Sequence, residues 1–129
     1  MTRVVDQTKA GNYMIKAENS LHIARIALQE RAFDTAVMDA VHSSINALDA
    51  LTTFYSGKRS SGQHIDVLNL IKGTLTKEEF EYVKKQFGGL MSRKNESEYQ
   101  PTLMSDKDAK DAILRAERIL NKVKTLLKK

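Results

Sequence analysis

The stretch from Asp34 to Ser56, DTAVMDAVHSSINALDALTTFYS, decides the fold. Wound at 3.6 residues per turn, its apolar residues Ala36, Val37, Val41, Ile45, Ala47, Leu48, Leu51, Phe54 and Tyr55 cover an arc of roughly 200°. That is too wide for a helix lying on a surface. The polar remainder, Asp39, His42, Asn46, Asp49 and Thr53, recurs at spacings of three and four and forms one narrow stripe. The stretch therefore reads as a central helix, buried on most sides, with one polar seam. That seam is a solvated face, a subunit contact or a ligand-lining surface; if covered, its groups must be hydrogen-bonded or they destabilise the fold by a few kcal/mol.

Upstream, Ala10, Met14, Ala17, Leu21, Ala24 and Leu28 repeat at three and four between Lys9 and Arg31, which predicts an amphipathic helix. Ile23 and Ile26 point away from its seam and are expected to meet a second helix or another subunit. Ala32 and Phe33 bridge into the central helix, with Asp34 as the expected N-cap, and so short a join makes the two helices antiparallel. Downstream, Gly57 closes the central helix in the manner of a left-handed C-terminal residue. The small, polar, basic loop GKRSSGQ leads to a third helix, His64 to Lys72, with Ile65, Leu68 and Ile71 inward. Thr76 and Glu79 form a capping box that opens a helix with Phe80, Val83 and Phe87 on one side. Gly88-Gly89 is expected to interrupt this helix, and Pro101 to stop its continuation past Gln100. Ser105 with Asp108 starts the last helix, whose seam Ala109, Ile113, Ala116, Leu120, Val123 and Leu127 has no break. Its other face carries Lys110, Arg115, Arg118, Lys122, Lys124 and Lys128, either for solvation or for contact with nucleic acid. The expected fold is all-α, an antiparallel four- to five-helix up-and-down bundle in a single domain over residues 1–129.

Composition bounds the chemistry. With 129 residues and 41% hydrophobic content the chain is long enough to bury a core, and with no cysteine it has neither disulfides nor thiolate metal ligands. Nothing approaches a membrane span, and the opening MTRVVDQTKAGNY lacks the apolar run of a signal peptide, so the expected location is cytoplasmic. Lysine and arginine outnumber aspartate and glutamate 21 to 16, giving +5, which permits a phosphate-bearing partner without requiring one. His22, His42 and His64 fall on three different predicted helices with no ligand spacing, so no metal site is expected, and no cofactor is implied. Gly88-Gly89 lacks the flanking strand and Lys-Ser or Lys-Thr of a phosphate loop. His42 next to Ser43 and Ser44 does not make a hydrolytic triad, because immediate neighbours on a helix do not face one another.

Two segments remain as candidate sites. Lys58 and Arg59, beside His64 at a helix start, combine positive charge with free amide groups and could hold an anion. The segment SRKNESEYQ, residues 92 to 100, sets Arg93, Lys94 and Asn95 ahead of Tyr99, with Asn95 and Tyr99 on the face shared with Met91.

Taken in order, INALDALTTFYSG, GQHIDVLNLI, SRKNESEY and a lysine-rich last helix resemble the HEPN superfamily, in particular its small prokaryotic members associated with minimal nucleotidyltransferases. The likeness runs from about Ala10 to Leu127. In the superfamily's ribonucleases an arginine, an adjacent polar residue and a histidine four to six residues on form an active site doubled at a dimer interface. Here Arg93, or Lys94 with Asn95 one position on, precedes Tyr99 where that histidine is expected, and Glu98-Tyr99 fits a variant ending in an acid-tyrosine pair. Tyrosine titrates near 10 and histidine near 6.5, so the exchange weighs against metal-independent RNA cleavage. The resemblance implies a non-catalytic or weakly active, homodimeric binding or regulatory module for nucleotide or RNA, paired with a nucleotidyltransferase as in toxin-antitoxin systems, with ligand-binding residues Arg93, Lys94, Asn95 and Tyr99. The alternatives are a ribonuclease toxin using Arg93 and Tyr99, and a purely structural homodimer.

Overall fold

The computed structural model describes residues 2–61 and 64–128, with His64 described by its backbone alone. Among these residues the chain forms α1 (Ala10–Gln29), α2 (Phe33–Ser56), α3 (His64–Lys72), α4 (Lys77–Tyr99) and α5 (Asp106–Leu127). Two short strands, β1 (Arg3–Val4) and β2 (Lys58–Arg59), pair antiparallel with Arg3 opposite Arg59. The architecture is the expected all-α up-and-down bundle, with α3 inserted between its second and third long helices.

Hydrogen bonds and ion pairs fix the directions. Asp34 at the start of α2 accepts from the Met104 amide just before α5 (2.8 Å), and Tyr55 near the end of α2 donates to the Leu126 carbonyl near the end of α5 (2.7 Å), so these helices run parallel. Helix α1 runs against both: Ser43 donates to the Ala17 carbonyl, and Arg25 and Glu18 reach Glu117 and Lys124. Helix α4 also runs against α5, with Arg93 on Asp108 and Arg118 on Gln86. Helix α2 is packed by α1, α4 and α5. Thirteen of its 24 residues are buried, which makes it the centre of the core as its wide apolar arc requires.

The α1–α2 turn explains how two helices join across so few residues. Arg31 adopts the left-handed conformation (φ 61°), its amide donates to the Leu28 carbonyl (3.0 Å), and the Ala32 amide donates to the Ala27 carbonyl (2.8 Å). These are the two bonds of a Schellman C-cap, here built on an arginine instead of glycine. At the far end of α2, Gly57 takes the expected left-handed conformation (φ 64°), and its carbonyl accepts from the Val5 amide (2.9 Å). Both predicted capping boxes, Thr76 with Glu79 and Ser105 with Asp108, are formed.

Several sequence expectations are corrected. Asp34 is not the N-cap of α2, which begins one residue earlier; its carboxylate instead ties Ser97 Oγ (2.7 Å) and the Met104 amide to the first turn. Gly88-Gly89 does not interrupt α4, which is continuous for 23 residues. The reason lies across the interface: a Cβ on Gly89 would collide with the Arg115 guanidinium, which crosses α4 to reach the Lys85 carbonyl (3.2 Å). Glycine gives clearance here, and a neighbouring helix supplies the stability that propensity withholds. On α3, Ile65 faces out (61% exposed) while Val67 joins Ile71 in the core. Phe54 and Tyr55 are also half exposed, stacked edge-to-face at 4.9 Å on the last turn of α2.

The polar stripe of α2 is not a single surface. His42 is exposed and Asn46 half-buried, while Asp49 and Thr53 are buried. Asp49 accepts from the amide and hydroxyl of Ser60 (both 2.9 Å), so the stripe's lower end is covered by the loop after β2. Burial pushes the Asp49 carboxyl up from its ordinary range, against the pull of those Ser60 bonds. Ile23 and Ile26 point outward on α1, 49% and 40% exposed.

Candidate nucleic-acid interface

Residues 92 to 99 form the last turns of α4, with Gln100 as its C-cap, and the bundle directs this end towards the starts of α2 and α5. Three links hold it there. Ser97 donates to Asp34 on α2. Arg93 Nη1 pairs with Asp108 Oδ1 at 2.5 Å, and Arg93 Nε with Asp111 Oδ2 at 2.9 Å, both on α5. Asp111 is shared with Arg115, also at 2.9 Å. Burial alone would raise the Asp111 carboxyl, but the bonds from Arg93 and Arg115 outweigh it and hold the group below the usual carboxylate range. The Asp108 carboxyl is lowered chiefly by the Ser105 amide that it caps.

The four residues of the predicted motif therefore part company. Arg93 turns inward to α5, its guanidinium fixed by two carboxylates. Lys94 pairs with Glu98 one turn on at 3.0 Å. Asn95 and Tyr99 face solvent, and Tyr99 is 73% exposed. At 100° per residue the directions of Arg93 and Tyr99 differ by about 120°, so within one chain they do not converge on a common atom. Met91, placed on the same face as Asn95 and Tyr99, is buried, and the face rotates out of the core over these two turns.

The second predicted site lies elsewhere. Lys58 and Arg59 follow the C-terminus of α2, whereas Arg93 and its partners lie by its first turn, so the length of α2 separates them, about 36 Å for 24 residues at 1.5 Å each. Lys58 is exposed, and Arg59 donates to the carbonyl of Ser60, the residue after β2 (2.9 Å). The His64 side chain lies outside the described residues. Among the described residues no group of three histidine, aspartate or glutamate side chains is placed to hold a metal, and no helix is long and apolar enough to cross a membrane.

Of the carboxylates that organise this end, sequence reading singled out Asp34 and Asp108 only as helix caps and passed over Asp111 and the pairing of Asp108 and Asp111 with Arg93. The signal for Asp108 and Asp111 was present, since residues three apart share a helix face. What it could not give was the opposing helix. Beside Asp34 lies a shallow cavity of about 220 Å³ walled by Arg31, Phe33, Thr35, Leu103 and Met104.

Comparison with known proteins bears on the fold and the family. The chain is similar to a solved structure, TT1696 from Thermus thermophilus, at 19% identity and a TM-score of 0.74, over 91% of this chain and 97% of that one. No curated protein matches it. The family model described as HEPN domain matches residues 11–126, nearly the whole of the helical bundle. With the four long helices inside that match but for the first residue of α1 and the last of α5, and the arginine-to-tyrosine segment on the third of them, the chain belongs to the HEPN domain family.

Proposed function

We propose that this chain is a HEPN-type binding module for nucleotide or RNA, acting as a homodimer beside a nucleotidyltransferase subunit, and that it does not cleave RNA unaided. The ligand is held at the end of α4 by Lys94, Asn95 and Tyr99, with Arg93 as the anchored cation behind them. One observation carries the reading: Arg93 is turned into α5 by Asp108 and Asp111 while Tyr99 faces solvent, and no imidazole lies in residues 92 to 100. A general base must be placed to reach the proton that it removes, and an exposed phenol turned away from the segment's arginine is not so placed within one chain. An exposed ring and a neighbouring amide do suit stacking and hydrogen bonding to a base.

The test measures binding and cleavage together. The Arg93→Ala, Lys94→Ala double variant is expected to bind labelled RNA or nucleotide at least about tenfold more weakly than the parent, and incubation of the parent with total RNA to leave it intact. Unchanged binding would remove the site. RNA cleavage by the parent that Tyr99→Phe abolishes would replace the module with a ribonuclease. Co-purification of the native protein identifies its partner subunit, with a nucleotidyltransferase expected.

A further inference from the structure

The cations of α5 divide into those held by carboxylates and those that are not. On α5, Asp106 takes Lys110, Asp108 and Asp111 take Arg93, Asp111 also takes Arg115, and Glu117 reaches to Arg25 on α1. Those are all the acids that α5 has. Beyond Glu117 the sequence RILNKVKTLLKK contains none, and of the three cations before its closing lysine pair, Lys124 is drawn to Glu18. Arg118 and Lys122 remain, with no carboxylate partner among the described residues.

These two form one wall of a groove between the second half of α5 and the first half of α4, with Asn121 and Thr125 beside them and Tyr82 of α4 opposite. The groove has a volume of about 340 Å³, and among the described residues no acid lines it. Arg118 also donates to the Oε1 of the buried Gln86 at 3.4 Å. Lys122 is half-buried, so its ammonium is presented from a packed stem, and the Tyr82 ring is 42% exposed.

We infer that this groove binds single-stranded RNA, with Tyr82 stacking on an unpaired base and Arg118 and Lys122 contacting its phosphates. Arg118 and Lys122 are one turn apart, about 6 Å between Cβ atoms, and so address a backbone that runs along the groove rather than one point charge. An aromatic platform inside a cationic groove is the arrangement that holds a single strand without reading its sequence. The volume of about 340 Å³ is room enough for one flattened base against Tyr82. Asn121 and Thr125 add neutral donors and acceptors along the same track. The inference rests on the reading of the chain as a nucleotide- or RNA-binding module. It adds a second contact region, since Tyr82 and Arg93 are eleven residues apart on α4, about 16 Å along the axis.

The experiment is fluorescence anisotropy of a short labelled oligouridylate with the full chain, over a range of salt concentrations, each variant first checked for its helical circular dichroism. Tyr82→Ala is expected to weaken binding by roughly tenfold and Tyr82→Phe to leave it unchanged. The Arg118→Gln, Lys122→Gln double variant is expected to reduce the slope of log affinity against log salt by about 1.4, at about 0.7 per phosphate contact. Parent-like affinity and slope in these variants would overturn the groove. So would equal competition by a duplex of the same length, or binding to phosphatidylserine vesicles through the same residues with no affinity for the oligouridylate. The Arg93→Ala, Lys94→Ala variant separates the two sites. Loss there alone, with the groove variants intact, removes the groove and keeps the α4-end site. Loss in the groove variants alone keeps the groove and removes that site.

Discussion

Arg93 shows how a residue chosen for one property is found using another. Its charge drew attention to residues 92 to 100, yet the guanidinium lies between Asp108 and Asp111, 26% exposed, and serves first to tie α4 to α5. Asp111 is the centre of that tie because Arg93 and Arg115 both donate to one of its oxygens. Replacing it by asparagine is expected to destabilise the fold at neutral pH by about 2 kcal/mol, the magnitude of a lost hydrogen bond to a charged group. The pH dependence follows from the direction of the shift. A carboxyl held below 3.8 in the folded state contributes stability above that pH and loses it as pH falls through the folded value. The gap between parent and Asp111→Asn in urea melts should therefore be widest near pH 7 and close below about pH 4. A gap independent of pH would mean that the two arginines are not what holds Asp111.

At the scale of the element, α4 is the helix whose reading from sequence went astray, and its two glycines explain why. Propensity counts each of them as a cost of about 1 kcal/mol, and two together as a break. In the structure they are not equivalent. A Cβ at Gly88 meets open space, whereas one at Gly89 runs into Arg115. Gly88→Ala is accordingly expected to raise stability by about 0.5–1 kcal/mol. Gly89→Ala should gain nothing or lose, because Arg115 must leave both the Lys85 carbonyl and Asp111. Thermal melts of the two single variants decide it, and equal stabilisation would show that Arg115 yields freely. The C-cap of α1 teaches the converse: a left-handed residue need not be glycine when two backbone bonds and a neighbouring ring, here Phe33 at 5.2 Å from Arg31, hold it in place.

At the scale of the molecule, one carboxylate joins three parts. Asp34 accepts from Ser97 on α4 and from the Met104 amide before α5, and it stands on the first turn of α2. Asp34→Ala is expected to cost about 2–3 kcal/mol through two lost charge-assisted bonds. It should also raise amide exchange at Met104 and along the last turn of α4 before the rest of the bundle. Uniform exchange across all helices would show that this end is held by packing alone.

The class of fold, the long helices other than the unbroken α4, both capping boxes, the Gly57 cap and the seams of α1 and α5 were legible in the chain itself, because each depends on spacings of three and four or on a local cap within a few residues. So was the family, through short segments in a fixed order. The inward turn of Arg93, the clearance at Gly89, the burial of Asp49 under Ser60 and the separation of Lys58 and Arg59 from Arg93 were not. Each depends on which helix lies opposite, and a helical period fixes the direction of a side chain about its own axis without naming the neighbour that it meets.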